Sequence, residues 1–167
     1  MLLHLPDSDA TDALARVLAS SQPTPAVVYL QGDLGAGKST LARAWLRALG
    51  VVGAVRSPTY TLVERYPLDD GTVDGAGREA LHLDLYRIAQ AAELEFLALD
   101  DAQAALWLVE WPERGASALP LPDLRIELAV SGAGRSCRLD AVGPAGQAWL
   151  CTESVSGGLR QFAEPRA

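Results

Sequence analysis

A glycine-rich segment early in the chain combines residue types that bind phosphate. It reads Gly32-Asp33-Leu34-Gly35-Ala36-Gly37-Lys38-Ser39-Thr40 and matches the pattern G-x-x-x-x-G-K-[ST]. Glycines permit a tight turn whose backbone N–H groups converge on phosphate oxygens, and a lysine here reaches the β- and γ-phosphates. The Ser39 hydroxyl is suited to ligate Mg²⁺. We therefore predict that residues 32–40 bind a nucleotide with Mg²⁺; an incidental lysine in an ordinary strand-to-helix turn is the alternative.

Lys38 distinguishes this segment further, because it is the only lysine in the chain and the other thirteen basic residues are arginines. A slim ammonium on a flexible stem fits between phosphates where a guanidinium fork is too wide. The same count excludes one kind of specificity, since GTPases read guanine with an Asn-Lys-x-Asp element that this chain cannot contain. Guanine recognition by that route is ruled out.

Two carboxylates are candidates for the acid that a phosphate-binding loop requires. Glu110 follows the apolar run 105–109, at the carboxyl end of a predicted buried strand, where ligands of open α/β sheets collect. We predict that it holds Mg²⁺ together with Ser39. Asp84 alternates with leucines in a second predicted strand, where it could orient the attacking water or the metal. A polar, solvated strand face is the alternative explanation for Asp84, and the neighbouring His82 is interpreted as a structural histidine.

Further residues are candidates for contacts with the nucleotide. Thr59 and Thr61 lie where small NTPases keep a loop that senses the γ-phosphate through a hydroxyl, although an ordinary Ser-Pro turn predicts the same sequence. Trp111 is either a core residue or a flat contact for a base or a partner. We include Thr59 and Trp111 in the predicted cofactor-binding set. For adenine the sequence offers only guesses, namely Arg135 in a predicted hairpin turn and Thr11 near the first helix.

The hydrophobic pattern places these residues on strands and helices. Apolar β-branched runs predict buried strands, and apolar residues at helical spacing predict helices. The predicted elements are a helix capped by Ser8 or Asp9, a strand over 26–30, a helix over 38–49, a loop over 51–67 that enters a strand, a strand over 80–86, a helix over 91–99, a strand over 105–109, and a hairpin of strands 124–130 and 136–142. We expect an α/β fold of the P-loop NTPase-like, three-layer kind, with a mostly parallel sheet, flanking helices and a C-terminal antiparallel hairpin. Residues 1–150 are predicted to form a single domain, and 151–167 a weakly structured tail.

Composition and charge exclude several other classes of protein. The chain has 167 residues, 49% hydrophobic and 21% charged, so we expect a folded protein rather than disorder. Its net charge of -7 argues against autonomous binding of RNA or DNA. Two widely spaced cysteines, Cys137 and Cys151, indicate a reducing compartment, and we recognise neither a signal peptide nor a membrane span. A cytoplasmic location is therefore predicted.

The glycine-rich loop is the first of five motifs that follow one another along the chain. The other four are Ser57-Pro58-Thr59-Tyr60-Thr61-Leu62-Val63, His82-Leu83-Asp84-Leu85-Tyr86-Arg87, Glu93-Leu94-Glu95-Phe96 and Val109-Glu110-Trp111-Pro112-Glu113. In order and spacing they resemble the TsaE family, the P-loop ATPase of bacterial tRNA threonylcarbamoyladenosine biosynthesis. The Asp-Leu-Tyr-Arg and Glu-Trp-Pro-Glu elements are specific to that family, whereas the loop alone is not. The resemblance covers roughly residues 5–145.

This resemblance implies an ATPase that acts with the TsaD and TsaB proteins. Those partners transfer a threonylcarbamoyl group to the adenosine next to the anticodon of ANN-decoding tRNAs, and ATP hydrolysis by the family supports repeated turnover. By position, Lys38 and the loop amides hold the phosphates, Ser39 and Glu110 hold Mg²⁺, and Asp84 serves hydrolysis, with Trp111 on the same edge. The implied cofactors are ATP and Mg²⁺. Transfer RNA is contacted only through the complex, and neither DNA nor a membrane is an expected partner.

The chain departs from the family pattern in three places, and two other functions fit the same motifs. Ser39 stands where threonine is more usual, Ala98 where glycine is common, and the loop 69–77 is longer than typical.

A small-molecule or nucleotide kinase would also carry a P-loop and an acid, but no arginine-bearing lid is evident over 88–113. A non-hydrolysing, nucleotide-gated interaction module is the other alternative.

Overall fold

The secondary structure follows the predicted order closely, with one added strand at the start and added helices at the end. The computed structural model describes residues 1–68, 78–97, 99, 104–115 and 118–163. In chain order the elements are β1 (Leu2–Leu5), α1 (Ser8–Ala19), β2 (Ala26–Gln31), α2 (Lys38–Ala48), β3 (Val63–Leu68), β4 (Arg78–Asp84), β5 (Ala104–Glu110), β6 (Leu124–Ser131), β7 (Gly134–Ala141), α3 (Gly143–Cys151) and α4 (Glu153–Leu159), with 3₁₀ helices at Ala91–Leu97, Pro112–Arg114 and Arg160–Phe162. The loop 69–77 and Ala98 lie outside the described residues.

The strands of the described residues form one seven-stranded mixed sheet in the order β1-β7-β6-β2-β5-β4-β3. The four central strands are parallel, because β2 pairs in parallel with both β5 and β6, and β4 pairs in parallel with β5. The remaining pairs, β3 with β4, β6 with β7 and β7 with β1, are antiparallel. The predicted C-terminal hairpin is therefore confirmed.

The prediction of a mostly parallel sheet is wrong, because both edges of the sheet are antiparallel. At one edge, the chain between β3 and β4 is shorter than the dozen or more residues that a parallel crossover requires, so the two strands pair antiparallel. At the other edge, β1 was not predicted at all. It is short and is defined by pairing with the distant strand β7, from Leu2 opposite Arg138 to Leu5 opposite Arg135.

Helices α1 and α2 begin and end at residues that the sequence partly identifies. The cap of α1 is Asp7, whose Oδ1 accepts a hydrogen bond from the Ala10 N–H at 2.8 Å, and not Ser8 or Asp9 as predicted. Helix α2 starts at Lys38 directly after the glycine-rich loop, and its apolar stripe ends before Gly50, which has a positive φ of 89°. The loop therefore opens straight into the N-terminus of α2.

The α-helices of the described residues lie on one face of the sheet, and a 3₁₀ helix and loops lie on the other. The predicted three-layer arrangement, which requires α-helices on both faces, is therefore wrong for the described residues. All four α-helices contribute buried residues to one face, where the Trp45 and Trp149 rings meet edge to face at 5.8 Å. On the other face, Leu81, Leu83 and Val109 pack against Leu94 of a 3₁₀ helix, where a longer helix over 91–99 was predicted. The segment between β5 and β6 contains prolines 112, 120 and 122, which oppose a regular α-helix there.

The C-terminal segment is ordered, so the prediction of a weakly structured tail is wrong for residues 151–163. Helix α4 and the following 3₁₀ helix bury Val155, Leu159 and Phe162 in the main core. Gly158 lets α4 approach α1 closely, since a Cβ at this position would lie 2.7 Å from a methyl group of Val17. Residues 164–167 lie outside the described ranges. No helix in the described part of the chain has the length and apolar character needed to cross a membrane.

Candidate functional site

The glycine-rich loop between β2 and α2 has a backbone that requires glycine. Gly32, Gly35 and Gly37 have φ values of 130°, 82° and 109°, a region that side chains disfavour. A Cβ on Gly32 would also collide with the backbone carbonyl oxygen of Leu128 in β6. Because the first N–H groups of a helix have no partners within it, the N-terminus of α2 adds donors and a favourable dipole at the same place. The loop is thus shaped to bind an anion.

The Lys38 ammonium lies across this loop and is almost fully buried, with 4% of the residue exposed. Its Nζ donates hydrogen bonds to the carbonyl oxygens of Gly32 at 2.7 Å and Asp33 at 2.9 Å, and it lies 4.2 Å from the centre of the Trp111 ring. Burial lowers the pKa of Lys38 below its usual value, an effect opposed chiefly by the carboxylate of Glu110. A phosphate group bound here would supply a compensating negative charge.

Glu110, at the carboxyl end of β5, links the loop to strand β4 through both of its carboxylate oxygens. Oε2 accepts a hydrogen bond from Ser39 Oγ at 3.0 Å, and Oε1 lies 2.8 Å from His82 Nε2. The parallel register of β4 and β5 sets Asp84 opposite Glu110. His82, Asp84 and Glu110 are 0%, 5% and 2% exposed, so this strand face is buried and the alternative of a solvated polar face is wrong.

Asp84 is held by the loop that precedes β3. Its Oδ2 accepts a hydrogen bond from Thr59 Oγ1 at 3.0 Å, and its Oδ1 accepts one from the Tyr86 N–H at 3.1 Å. Thr59 is therefore brought to the site, whereas Thr61 turns away and donates to Glu64 at 2.9 Å. A carboxylate has about four acceptor positions, so Asp84 retains capacity for a water molecule.

Trp111 forms one wall of the site because of an unusual backbone conformation. It follows Glu110 directly and has a φ of 55°, which is rare for a residue with a bulky side chain. Its N–H donates to the carbonyl oxygen of Leu30 at 3.3 Å, and its ring lies 5.1 Å from the Tyr86 ring. The ring covers the Lys38 ammonium and also packs against the second apolar cluster, so Trp111 has features of both the predicted contact surface and the predicted core residue.

These groups line one cleft of about 200 Å³, and a second cleft of similar volume adjoins it on the far side of the loop. The first cleft is lined by Leu34, Gly35, Gly37, Lys38, Ser39, Thr40, Thr59, Asp84, Tyr86, Glu110 and Trp111. Gly37 and Thr40 line both clefts, and the second also includes Thr11 and Arg135. Arg135 donates from Nε to the Ala36 carbonyl oxygen at 3.0 Å. The two adenine guesses thus lie together beside the loop.

The structure brings nearly all of the sequence-predicted site residues to one edge and adds others that sequence reasoning missed. Asp33 and Leu34 have exposed side chains, so they offer the site mainly their backbone. Tyr86 was not predicted as a lining residue. His82, interpreted from the sequence as a structural histidine, is fully buried, contacts Glu110 and does not line the cleft, which agrees with that interpretation. Tyr86 lies two residues after Asp84 in the same alternating run, and that spacing is the signal that could have identified it.

Fold and cleft together define an α/β protein with a glycine-rich loop at the carboxyl edge of its central parallel strands. A family model described as "Threonylcarbamoyl adenosine biosynthesis protein TsaE" matches residues 5–137. The chain belongs to the TsaE family.

Individual relatives agree with this assignment. The tRNA threonylcarbamoyladenosine biosynthesis protein TsaE of Haemophilus influenzae is 43% identical over 117 residues, covering 69% of this chain and 70% of that protein. The protein of the same name from Streptomyces coelicolor is 35% identical over 144 residues, covering 84% and 94%. A crystal structure of YdiB from Bacillus subtilis superposes with a TM-score of 0.73 at 26% identity, covering 94% of this chain and 95% of the other.

Proposed function

We propose that this protein binds ATP with Mg²⁺ in the first cleft and hydrolyses it to ADP and phosphate in support of tRNA threonylcarbamoyladenosine biosynthesis. The observation that carries the proposal is the convergence of Lys38, Ser39, Asp84 and Glu110 on one buried edge beside the loop. A cation, a hydroxyl and two carboxylates around an anion-binding loop are the parts that phosphoryl transfer to water requires. The names of the relatives supply the biological setting.

In this proposal the triphosphate lies along the loop, with the base directed to the second cleft. Loop amides and the Lys38 ammonium bind the β- and γ-phosphates, and Lys38 then exchanges contacts with the Gly32 and Asp33 carbonyls for contacts with phosphate oxygens. Thr11 and Arg135 line the cleft on the opposite side of Gly37, within reach of a base and ribose. The loop thus separates the reacting end of the nucleotide from the recognised end.

The residues beside the loop fit a magnesium ion. The Ser39 hydroxyl donates a hydrogen bond to Glu110, which leaves the lone pairs of the hydroxyl oxygen available to a metal. Mg²⁺ prefers oxygen ligands and is usually held by one or two carboxylates together with substrate phosphates. Ser39, with Glu110 directly or through water, would hold the ion. When bound, Mg²⁺ neutralises charge that develops on the phosphate oxygens.

Hydrolysis then depends on how this chain orients a water molecule. The water oxygen bonds to the γ-phosphorus, and the bond from that phosphorus to the β–γ bridging oxygen breaks with its electron pair remaining on ADP. One proton of the water stays on the inorganic phosphate and the other passes to solvent. Asp84 accepts a hydrogen bond from the water and thereby orients it, while Thr59 fixes the carboxylate from the other side. Trp111 shields the reacting end from bulk solvent.

The proposed partners are TsaD and TsaB, with tRNA bound through them. A chain of net charge -7 is poorly suited to hold a polyanion by itself, which supports indirect contact with tRNA. A cytoplasmic location is part of the proposal and is supported by two cysteines that are both free, one buried and one exposed.

The test is phosphate release from ATP with Mg²⁺ by the purified chain, alone and with TsaD, TsaB and substrate tRNA. Lys38→Ala and Glu110→Ala variants are measured beside it, after each is shown to be folded. We expect release that the partners stimulate and that both variants lose. Nucleotide binding without release under every condition would contradict the hydrolysis and favour a nucleotide-gated module, and phosphate transfer to an added small molecule would favour a kinase.

A further inference from the structure

We infer that His82 is a positioning residue, which fixes the Glu110 carboxylate so that Ser39 and Glu110 can hold Mg²⁺. This inference rests on the proposed function, because it concerns the same metal and nucleotide. His82 is completely buried within β4, and its Nε2 lies 2.8 Å from Glu110 Oε1. It does not line the cleft, so it acts through Glu110 and not on the nucleotide.

The tautomer of His82 follows from its surroundings. An ionised carboxylate only accepts hydrogen bonds, so His82 Nε2 carries the proton that is donated to Glu110. His82 Nδ1 is the one buried side-chain nitrogen or oxygen without a hydrogen-bond partner among the described residues. The Nε2–H group is therefore a donor aimed at Glu110.

Glu110 needs this donor because its two oxygens have different tasks. Oε2 accepts a hydrogen bond from the Ser39 hydroxyl and so fixes the orientation of that hydroxyl. Oε1 points back into the sheet, where His82 is its hydrogen-bond partner. Without His82, Oε1 would be a buried acceptor without that donor, and the carboxylate could rotate to find another. Partners that orient a ligating carboxylate in this way usually contribute 10–100-fold to metal affinity or activity.

Two variants of nearly equal polarity separate positioning from mere packing. In His82→Gln the side-chain amide nitrogen stands near the place of Nε2 and can still donate to Glu110. In His82→Asn the amide is one methylene closer to the backbone and cannot reach Oε1. Both bury an amide where the ring was, so general damage to the core would affect them alike. His82→Leu removes the donor and supplies a third case.

ADP affinity is measured by calorimetric titration at a series of Mg²⁺ concentrations. The readout is the half-saturating Mg²⁺ concentration, at which half of the Mg²⁺-dependent change in ADP affinity has occurred. ADP binding in EDTA is measured beside it, because that binding depends on the loop and Lys38. We expect His82→Gln to stay within about threefold of the original chain, and His82→Asn and His82→Leu to require roughly tenfold more Mg²⁺ or beyond. ADP affinity in EDTA should change little in all three.

A double-mutant cycle identifies the route of the effect. If His82 acts through Glu110, adding His82→Asn to Glu110→Gln should raise the half-saturating Mg²⁺ concentration by less than twofold over Glu110→Gln alone. Equal Mg²⁺ dependence in His82→Gln and His82→Asn, or additive effects in the cycle, would overturn the inference while leaving the proposed function intact. If the ADP affinity of the original chain does not depend on Mg²⁺, both the inference and the proposed function are overturned.

A measurement on the unaltered chain covers the case in which the variants do not fold. The chain has two histidines, His4 and His82, so a ¹⁵N-detected imidazole spectrum is assigned with one His4→Gln variant. We expect a proton on His82 Nε2 that exchanges slowly with water, because it is buried and donated to Glu110. A neutral Nδ1–H tautomer would leave Nε2 with no proton to donate to Glu110 and would overturn the inference.

Discussion

The carboxyl ends of β4 and β5 and the start of α2 bury several charged or polar side chains, whereas the inward faces of β6, β7 and β1 bury aliphatic side chains and a cysteine. The first region, here called the polar edge, holds Lys38, His82, Asp84 and Glu110. The second, here called the hairpin half, buries Leu3, Leu5, Leu124, Ile126, Leu128, Cys137 and Leu139. Burying charge costs free energy unless each group is paired, while aliphatic burial is directly favourable. The two regions therefore contribute differently to stability and to function.

The polar edge is arranged at some cost to stability. It contains Trp111 in a left-handed backbone conformation, a lysine whose pKa burial lowers, and the unpaired Nδ1 of His82. In the hairpin half, β6 and β7 pair over eight consecutive positions without a register shift. Local departures from the rules of stable folding collect at functional sites. Substitutions should accordingly affect ligand binding at the polar edge and folding in the hairpin half.

The largest expected effect is on nucleotide affinity at the polar edge. Lys38→Ala removes the only ammonium facing the loop, and with it charged hydrogen bonds to phosphate oxygens. We expect ATP affinity to fall about 100-fold or more, on the scale of two such bonds. The free energy of unfolding without nucleotide should hold or rise, because a buried charge is lost. Titration calorimetry and urea unfolding check both parts, and an unchanged ATP affinity would contradict the account.

The next effect tests the hairpin half. Leu139→Ala opens a cavity beneath β7, where the side chain is 1% exposed. We expect the free energy of unfolding to fall by about 2–5 kcal/mol. ATP affinity and the rate of phosphate release, measured at a temperature where the variant is fully folded, should stay within about twofold. A loss of nucleotide affinity as large as that of Lys38→Ala would remove the distinction between the two regions.

A smaller expected effect tests whether Thr59 belongs to the polar edge. Thr59→Val removes the hydroxyl that donates to Asp84, while Thr61→Val removes a hydroxyl that donates to Glu64 outside the cleft. We expect phosphate release to slow about tenfold in Thr59→Val, on the scale of one hydrogen bond to a charged group. Thr61→Val is the matched control and should release phosphate at the original rate. Equal rates in the two variants would remove Thr59 from the site.

The last expected effect concerns alkaline stability in the hairpin half and is the smallest at neutral pH, where it changes nothing. Burial raises the pKa of the Cys137 thiol to about 12 from 9.0. Because the folded-state value is the higher one, the stabilising contribution is complete below pH 9 and is lost as pH rises from 9 toward 12. This thiol should steepen the fall of the free energy of unfolding by at most about 1.4 kcal/mol per pH unit.

Comparison with Cys137→Ala isolates that contribution, since alanine does not titrate. The variant is expected to lose stability less steeply between pH 9 and 10.5, whatever its stability at neutral pH. Urea unfolding at several pH values provides the slopes. The same slope in both proteins would show that the Cys137 thiol ionises as readily in the folded as in the unfolded chain.

The local parts of the polar edge could be predicted from the sequence. A strand, a glycine-rich loop and a helix that opens at Lys38 are determined by short stretches of chain, and Glu110 lies at the end of an unmistakable apolar run. What could not be predicted depends on distant segments. The alternation around His82 gives two strand faces but does not reveal that the polar one is buried.

The same reason explains the errors elsewhere. β1 is four residues long and is a strand because it pairs with β7, more than a hundred residues away along the chain. Val155, Leu159 and Phe162 looked like a sparse tail because two glycines interrupt them, yet one of those glycines, Gly158, permits the close contact with α1. The mixed character of the sheet likewise depends on pairings that periodicity does not encode.

The most direct test of the polar edge as the functional region is a crystal structure with Mg²⁺ and a non-hydrolysable ATP analogue. The account predicts phosphates bound by the amides of residues 32–40 and by Lys38, with Mg²⁺ held by Ser39 and, directly or through water, by Glu110. The base should lie toward Thr11 and Arg135. An analogue bound elsewhere, or a metal with no contact to Ser39 or Glu110, would contradict it.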